Sequence, residues 1–548
     1  MKIPFQRVVR GMCVAIEIAI LSALVLATRC ANYQDVFVAG NIYFTDADCY
    51  ARMARVRMCT EHPGLIVRHH DFENFPAGTT PHTTAPFDYL IVGLSILLKP
   101  FTAHGLDLAG ALISPLLALL GGWFLWWWSK RMKFRDRWVL LILYAISPML
   151  VHGTELGRPD HQSLSILLVT IAICAEWRLH CGPTLAEPNN AIRESRMASA
   201  LSRWSVAAGA AWGLAIWVSA YEALILFLLL LLFGALPDRQ SIFGSHRRTG
   251  WIAFAVVIAL AFAIERRVPS LSIFHVGGEI FKNWSRAIGE LTHVPPFDPI
   301  WFRWVGYMVV VAPLLVWFQL RNQETVATSR RALPIFVLLL ATYLLTIWQA
   351  RWAYFFVVIF LVLLPYLLEQ IKSPVAVWVA FALSIFPILR DWDERLWPNE
   401  IEYARHVEQR NESAQLRDLA LNLRSSEMRP FLAPWWISPL VAYWSGQPGV
   451  AGSSHESLDG IADSARFFLA EDWQIARDIL GRHKTVWVLA YDSERVAQNS
   501  SAILGVPVAR KARAVCFVLD RTPARAPTFL NFSAQNAAGK LYRVANNR

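Results

Sequence analysis

The sequence is poor in charge and in cysteine, and it contains no internal repeat or low-complexity tract. Charged residues make up 17% of the 548 residues, a smaller share than soluble globular domains usually carry. The seven cysteines form no CxxC pair and no Cys/His spacing of the zinc-site type. No basic run alternates with aromatic residues, so the sequence indicates no nucleic-acid-binding surface. These absences argue against a soluble zinc-binding or nucleic-acid-binding protein.

Apolar and aromatic side chains are what the chain has in excess. Hydrophobic residues make up 55% of the sequence, and 24 residues are tryptophan. A bundle of membrane helices needs that much apolar mass, and tryptophan is favoured where a membrane meets water. The formal net charge of +11 first indicates basic cytoplasmic loops and only second an anionic ligand. Composition therefore predicts a polytopic membrane protein.

About eleven apolar segments are long enough to cross or nearly cross a bilayer. They lie near residues 12–29, 106–128, 137–152, 163–177, 204–220, 221–236, 250–264, 302–320, 333–348, 352–368 and 374–389. With the N-terminus in the cytoplasm, the short basic loops, such as 129–136, all fall on the cytoplasmic side. Counting Phe87 to Leu98 as a further span would turn that basic loop outward. We therefore expect an interfacial helix at Phe87 to Leu98.

This orientation places long segments on the outer side of the membrane, and it predicts a location in the cell inner membrane with these segments facing the periplasm. The outer segments are the loops 30–105 and 265–301 and everything after about residue 390. We expect a transmembrane domain over 1–390 and a small extracytoplasmic α/β domain over 391–548. In the second domain the sequence predicts helices around 400–424 and 459–481 and strands at Thr485–Ala490 and Ala514–Leu519. Cys49 and Cys59 share the first outer loop, where a disulfide and two free thiols are both compatible with the sequence.

Acidic residues in the outer segments lie directly against predicted helix ends. Asp46 and Asp48 do so in the first loop, Asp160 in the loop 153–162, and Glu290 in the loop 265–301. Carboxylates on one side of a membrane can converge on a hard divalent cation, which prefers oxygen ligands. Such a cation would offset charge on a lipid-linked phosphate or pyrophosphate. Taken singly, each residue is more often a helix cap, a turn residue or a solvated charge, and only their common placement favours a site.

In this arrangement the chain resembles the catalytic subunit of oligosaccharyltransferases, membrane glycosyltransferases of the class C fold, as a divergent bacterial or archaeal-like member. The likeness runs over about residues 10–390 and then weakens. The matching motifs, in chain order, are Asp48-Cys49-Tyr50 with Arg52, Asp71 to Gly78 followed by Pro86-Phe87-Asp88, Gly157 to Gln162, Ser285 to Glu290, and Arg351-Trp352. The resemblance implies a mainly α, polytopic helix bundle of the glycosyltransferase class C type, with about 11 transmembrane helices.

The resemblance also implies a metal site and catalytic residues. Asp48 and Asp160 would hold Mg²⁺ or Mn²⁺, together with His161 or Gln162. Gln162 stands where the family usually has Asp, Glu or His, and a neutral amide is the weaker ligand. Glu290 would contact the metal or orient the acceptor together with Asp48, so these two residues are the expected catalytic pair.

The residues expected to bind substrate are Asp46, Arg52, Arg158, Arg351, Trp435 and Trp436. Arg351 would hold an acceptor group or the anionic donor. The largest departure from the family is downstream, where its Trp-Trp-Asp-Tyr-Gly motif reads the hydroxyl of an Asn-x-Ser/Thr acceptor. Here the chain has Trp435-Trp436-Ile437, and isoleucine cannot accept a proton from a hydroxyl. The two tryptophans are equally compatible with an acceptor site and with core or interfacial packing.

The sequence therefore predicts a glycosyltransferase that moves a glycan from a polyprenyl-linked phosphate or pyrophosphate to an acceptor on the outer face. The resemblance implies that the transfer inverts the configuration of the sugar. The acceptor could be protein, lipid or another glycan. A second interpretation keeps the fold but uses a monosaccharide on polyprenyl monophosphate, and the Glu290 motif favours the first. A transporter would be expected to bury ionisable residues mid-span, where only Glu17 is conspicuous. A third interpretation is a non-catalytic relative that acts as a scaffold for other enzymes. Gln162 and Ile437, which depart from the family pattern, are compatible with it.

Overall fold

A computed structural model describes residues 5–181, 191–236, 239–267, 278–321, 326–508 and 513–545, so part of the predicted outer loop 265–301 lies outside the described residues. The helices of the first half are α1 (Phe5–Arg29), α2 (Tyr33–Val36), α3 (Ala47–Glu61), α4 (Ala85–Leu98), α5 (Gly105–Met132), α6 (Arg137–Ile146), α7 (Pro148–His152), α8 (His161–Cys181), α9 (Ala191–Val218), α10 (Ala220–Ala235), α11 (Arg239–Phe243) and α12 (Arg248–Glu265). A two-stranded ribbon, β1 (Phe37–Val38) and β2 (Asn41–Ile42), precedes α3.

The second half continues as helices and ends in a small sheet. Its helices are α13 (Glu279–Ala287), α14 (Ile300–Val305), α15 (Met308–Arg321), α16 (Val326–Trp348), α17 (Ala353–Leu368), α18 (Pro374–Ser384), α19 (Phe386–Leu396), α20 (Glu400–Leu421), α21 (Ser438–Ser445), α22 (Leu458–Leu469), α23 (Trp473–Arg482), α24 (Ser493–Leu504) and α25 (Val515–Arg521). The strands β3 (Phe431–Leu432), β4 (Trp487–Ala490), β5 (Leu530–Gln535) and β6 (Lys540–Val544) form a sheet in the order β3–β4–β6–β5. Only the β3–β4 pair is parallel.

The apolar helices make this chain a membrane protein. In the described residues, five helices are long and apolar enough to cross a bilayer, and a sixth span results if α18 and α19, which are bent by 44°, count as one. Five shorter apolar helices accompany them, and α4 at the predicted interfacial segment is one of these. Each of the eleven predicted apolar segments lies mostly on helical residues, and four of them, 137–152, 204–220, 302–320 and 374–389, contain a break between two helices.

Helix α17 lies at the centre of the bundle. All of its residues are buried, because it is apolar on every face and helices of that kind belong in an interior. It packs against α6, α8, α15 and α16. This packing fixes the position of the start of α17 relative to the start of α8. Arg351 and Trp352 lie there, in a short 3₁₀ turn just before α17.

The C-terminal portion contacts the first outer loop through α21 and α3. The Arg57 guanidinium donates to the Tyr443 carbonyl at 2.7 Å and lies 4.0 Å from the centre of the Tyr443 ring. The Tyr443 hydroxyl in turn donates to Asp107 at the start of α5. These contacts hold α3, which carries two of the predicted site residues, between α5 of the helix bundle and α21 of the C-terminal portion.

One prediction for the outer segments is corrected, and one alternative that the sequence leaves open is decided. Ala514–Leu519 is not a strand, because the chain there forms α25, with the Val518 amide donating to the Ala514 carbonyl at 3.1 Å. A short apolar run does not by itself distinguish a buried strand from a buried helix, and packing on α22 and α24 selects the helix. Cys49 and Cys59 are buried free thiols, and ten residues of the one helix α3 separate them by about 15 Å, too far for a disulfide.

Candidate active site

A cavity of about 1370 Å³, including its open mouth, lies where the ends of the apolar helices meet the outer segments. Side chains from seven stretches line it, within residues 48–55, 70–83, 160–162, 219–221, 281–291, 349–351 and 453–456. Of the residues singled out from the sequence, those in its lining are Asp48, Arg52, Asp160, His161, Gln162, Glu290 and Arg351. The fold thus brings together side chains that are more than 300 residues apart in the chain.

Asp46 and Asp48 take different places at the start of α3. The side chain of Asp46 caps the helix by accepting a 2.9 Å hydrogen bond from the Cys49 amide. Asp48 is exposed to the cavity although protein surrounds it on most sides. Desolvation by the surrounding protein, together with the negative charge of Asp46, Asp160 and Glu290, raises the pKa of Asp48 to about 7. The acidic side chains therefore repel one another where no cation lies between them.

Asp160 and His161 form a charged cluster with Arg52. His161 Nδ1 lies 2.7 Å from Asp160 Oδ1 and 3.1 Å from Nη2 of Arg52, which is 3.8 Å from Asp160. Nη1 of Arg52 donates to Asp88 at 3.0 Å. Burial would raise the pKa of Asp160, but His161 and the guanidiniums of Arg52 and Arg158 outweigh it and hold that pKa well below its usual range. Asp160 is therefore ionised, as a metal ligand has to be.

Glu290 is held by two groups of the Gly157 to Gln162 motif. Gln162 donates from Nε2 to the Glu290 carboxylate at 2.7 Å, and Arg158 Nη2 lies 3.4 Å from it. The other amine of the same guanidinium, Nη1, is 3.2 Å from Asp46. Asp46 and Arg158 therefore lie beside the cavity and link its acidic side chains, while Gln162 keeps a buried oxygen, Oε1, without a hydrogen-bond partner.

Arg351 reaches the cavity from the turn before α17. Its guanidinium pairs with Glu222 in the first turn of α10, and the Ser219 hydroxyl donates to the same carboxylate at 2.7 Å. Nε of Arg351 is buried without a hydrogen-bond partner. This arginine therefore lines the cavity and keeps one unpaired donor.

Trp435 and Trp436 are not in the lining of the cavity. The Trp435 indole donates to Asn499 at 2.7 Å, and its ring lies edge-on to Trp284 at 6.3 Å. Trp284 does line the cavity, so Trp435 stands one layer behind the wall. Ile437 is buried at the start of α21. Trp435 and Ile437 are therefore packed side chains outside the lining of this cavity.

Sequence reasoning missed three lining residues, His82, His455 and Glu456. The His82 amide and Nδ1 both contact Glu456 Oε1, at 2.9 and 2.7 Å. Burial lowers the pKa of His455 to about 4 in spite of the opposing charge of Glu456. Burial would raise the pKa of Glu456, but the adjacent His82 outweighs it and lowers that pKa. The one signal in the sequence, a His-Glu pair in a polar loop of the C-terminal portion, is too short to stand out.

The oxygen-rich side of the cavity suits a hard divalent cation in its chemistry. Asp48, Asp160 and Glu290 offer carboxylate oxygens, and the unpaired Oε1 of Gln162 offers an amide oxygen. Within the part of the chain that the structure describes, these carboxylates do not form a set of three with ligand atoms within 4.8 Å of one another. A cation at this place would therefore have to draw the side chains closer together.

Comparison with solved structures identifies the fold. The oligosaccharyltransferase of Archaeoglobus fulgidus, tethered to an acceptor peptide with an NVT sequon, aligns with a TM-score of 0.64 and 13% identity over 94% of this chain and 78% of that one. The same protein in complex with Zn and sulfate aligns with a TM-score of 0.63 and 14% identity over 97% and 74%. ArnT from Cupriavidus metallidurans, bound to undecaprenyl phosphate, aligns with a TM-score of 0.52 and 14% identity over 100% and 99%.

No family model and no curated protein matches the sequence. At the low identities of the structural matches, the likeness shows the fold, which is that of the class C membrane glycosyltransferases. The fold implied by the five sequence motifs is thereby confirmed.

Proposed function

We propose that this chain is a membrane glycosyltransferase that takes a glycan from a polyprenyl-linked phosphate or pyrophosphate and transfers it to an acceptor on the outer face. The observation that carries the proposal is the convergence of Asp48, Asp160, Glu290 and Arg351 on one cavity at the helix ends. Three carboxylates and one arginine suit a reaction in which a neutral acceptor meets an anionic, lipid-linked leaving group. The placement of the cavity suits a donor whose tail lies in the bilayer.

The carboxylates would hold a divalent metal, Mg²⁺ or Mn²⁺. Asp48 and Asp160 would be its principal ligands, with Gln162 Oε1 and Glu290 nearby and His161 orienting Asp160. When bound, the metal would offset the charge of the departing phosphate. The archaeal oligosaccharyltransferase structure in complex with Zn and sulfate, which has a similar fold, supports a role for a metal.

The chain's own side chains have separate roles in this proposal. Glu290 orients the acceptor, because Gln162 and Arg158 fix its carboxylate. Asp48 accepts a hydrogen bond from the acceptor group at the cavity floor. Arg351 donates from its unpaired Nε to the phosphate of the donor, while Glu222 keeps the guanidinium in place. The acceptor forms its bond to the anomeric carbon of the sugar as the bond to the polyprenyl-linked phosphate breaks, with inversion, and Asp48 takes up the acceptor's proton.

A monosaccharide on polyprenyl monophosphate is the second candidate donor. The match to ArnT covers 99% of that chain, whereas the match to the archaeal oligosaccharyltransferase covers 78% of that one. Ile437 also removes the acidic residue that would read a Ser/Thr hydroxyl in an acceptor peptide. This difference at position 437 favours an acceptor other than a sequon-bearing protein, such as a lipid or a glycan.

The proposal is tested in membranes of the native host with Asp48→Asn and Glu290→Gln. The matched controls are Asp71→Asn, an exposed residue of the first outer loop, and Glu279→Gln, an exposed residue of the first turn of α13. We expect the site variants to lose the glycan product that a deletion strain also lacks, and the controls to keep it. Full product in both site variants, at normal protein levels, would overturn the proposal.

The donor is then identified with purified protein and two synthetic polyprenyl donors, one a pyrophosphate oligosaccharide and one a monophosphate monosaccharide. Consumption of the first supports the leading proposal. Consumption of the second alone replaces it with the second candidate.

A further inference from the structure

A second group of polar side chains lines the cavity next to the carboxylates. It consists of His82 from the first outer loop and of His455 and Glu456 from the C-terminal portion, here called the histidine trio. One ligand atom from each of the three lies within 4.8 Å of the other two. In the described part of the chain, no other set of three His, Cys, Asp or Glu side chains meets this distance.

The carboxylate of Glu456 is only half satisfied. Oε1 accepts from both the amide and the side chain of His82. Oε2 is buried without a hydrogen-bond partner, and His455 Nδ1 lies 3.6 Å from it. A buried carboxylate oxygen left unpaired is costly. A cation bound beside Oε2 would remove that cost.

We propose that the histidine trio is a binding site for Zn²⁺ or a similar borderline divalent metal, separate from the carboxylate site. Two imidazoles and one carboxylate are a ligand set that zinc takes when its fourth position stays open. Zinc–ligand bonds of about 2.0–2.1 Å place tetrahedral ligand atoms about 3.3 Å apart. The distance from His82 Nδ1 to Glu456 Oε1 is 2.7 Å and that from His455 Nδ1 to Glu456 Oε2 is 3.6 Å, on either side of that value.

The chemistry of the trio separates it from the carboxylate site. Nitrogen ligands favour zinc over Mg²⁺ or Mn²⁺, whereas Asp48 and Asp160 favour the hard ions. The two sites share a wall, because the rings of His82 and His161 are 6.2 Å apart. All three members line the cavity, so the open position of the metal faces the space where an anionic group of a substrate would lie.

The trio also joins two distant parts of the chain. His82 lies in the long first outer loop, and Glu456 lies 374 residues further on, directly after His455. A metal there would link the first outer loop to the C-terminal portion and stabilise the folded protein. The inference does not depend on the proposed transfer reaction, because its readout is bound metal.

The test uses the full chain, purified in detergent and loaded with zinc alone. Metal content after dialysis and competition with a chromophoric chelator are measured for wild type, the double variant His82→Ala/His455→Ala, and Glu456→Gln. We expect the double variant to lose one equivalent of zinc and Glu456→Gln to bind it at least about tenfold more weakly. Asp48→Asn/Asp160→Asn and the exposed control His69→Ala should keep that equivalent.

Two further measurements separate loss of the site from loss of the fold. Zinc should raise the melting temperature of wild type but not of the double variant. Co²⁺ in the trio should give the visible absorption of a tetrahedral site, and this absorption should persist in Asp48→Asn/Asp160→Asn. A wild type that binds no zinc at micromolar concentration would overturn the proposal. So would zinc lost only from the Asp48 and Asp160 variant.

Discussion

Gln162 donates a 2.7 Å hydrogen bond from its side-chain amide to the carboxylate of Glu290, 128 residues away. The contact joins the first turn of α8 to the short 3₁₀ turn at Gly289–Leu291. An amide can approach a carboxylate this closely without a cation between them, whereas a second carboxylate cannot. Gln162 thus lets this corner of the cavity form before any metal binds.

Replacing Gln162 by Glu should make the folded state depend on a divalent metal. The new carboxylate would face Glu290 at hydrogen-bond distance and repel it, so the melting temperature in chelator should fall below that of wild type. Mn²⁺ should then raise it by more in Gln162→Glu than in wild type, because a charged ligand replaces a neutral one.

The control for this experiment is Gln409→Glu on the exposed side of α20. It adds the same charge away from the cavity and should leave the response to Mn²⁺ unchanged. Equal Mn²⁺ shifts in wild type and Gln162→Glu would show that position 162 does not face the metal.

The ion pair of Arg351 with Glu222 allows a positional role to be separated from substrate binding. Arg351→Met leaves a buried Glu222 without its partner, which costs about 3–5 kcal/mol for a buried pair, and both stability and transfer should fall. Adding Glu222→Gln removes the stranded charge, so the melting temperature should recover while transfer stays lost.

The matched control is Arg390→Met, which breaks the exposed pair of Arg390 with Glu394 and should change little. If the double variant at 351 and 222 regains transfer together with stability, Arg351 has only a structural role, and the proposed contact with the donor phosphate is wrong.

Membrane topology and the position of the carboxylates follow largely from local features of the sequence. Apolar runs of membrane length predict the helices, and Asp46 and Asp160 precede α3 and α8 as expected for residues at helix starts. A charged residue next to a helix end can be recognised from the local sequence, without knowledge of distant packing. Their convergence in one cavity is not local, and it was implied by the order of the five motifs rather than by any one of them.

The sequence says least where the fold brings distant segments together. Glu456 has no recognisable context until His82 is placed 2.7 Å from it, and no spacing rule relates residues so far apart. Trp435 shows the opposite case, since its motif points to a substrate but its indole is bonded to Asn499 behind Trp284. The segment Val515 to Leu519, predicted as part of a strand, forms a helix because it packs against α22 and α24.

Glu73 should make the stability of the protein depend on pH. Burial raises its pKa to about 7, although Arg55 opposes the shift. Because the folded protein binds this proton more tightly than the unfolded chain, stability falls as pH rises from about 4.5 to 7 and is level above that. The loss is on the order of 3 kcal/mol.

The neutral variant Glu73→Gln removes this dependence. Its melting temperature should exceed that of wild type at pH 8 and approach it at pH 4.5, while the exposed control Glu61→Gln follows wild type at both. A constant difference between Glu73→Gln and wild type across this range would mean that Glu73 is ionised throughout.

Peptide acceptors test what the loss of an acidic residue at position 437 means for the reaction. Two peptides that differ only in Asn-x-Thr against Asn-x-Ala are compared with the purified protein and its donor. Ile437 is buried and offers no acceptor for a threonine hydroxyl, and Trp435 does not line the cavity. We therefore expect equal transfer to the two peptides, or none to either.

Ile437→Asp should not create a preference for the threonine peptide, because the new carboxylate would be buried behind the wall of the cavity and would mainly destabilise the fold. A strong preference of wild type for the threonine peptide would place hydroxyl recognition elsewhere in the cavity and would return protein to the head of the candidate acceptors.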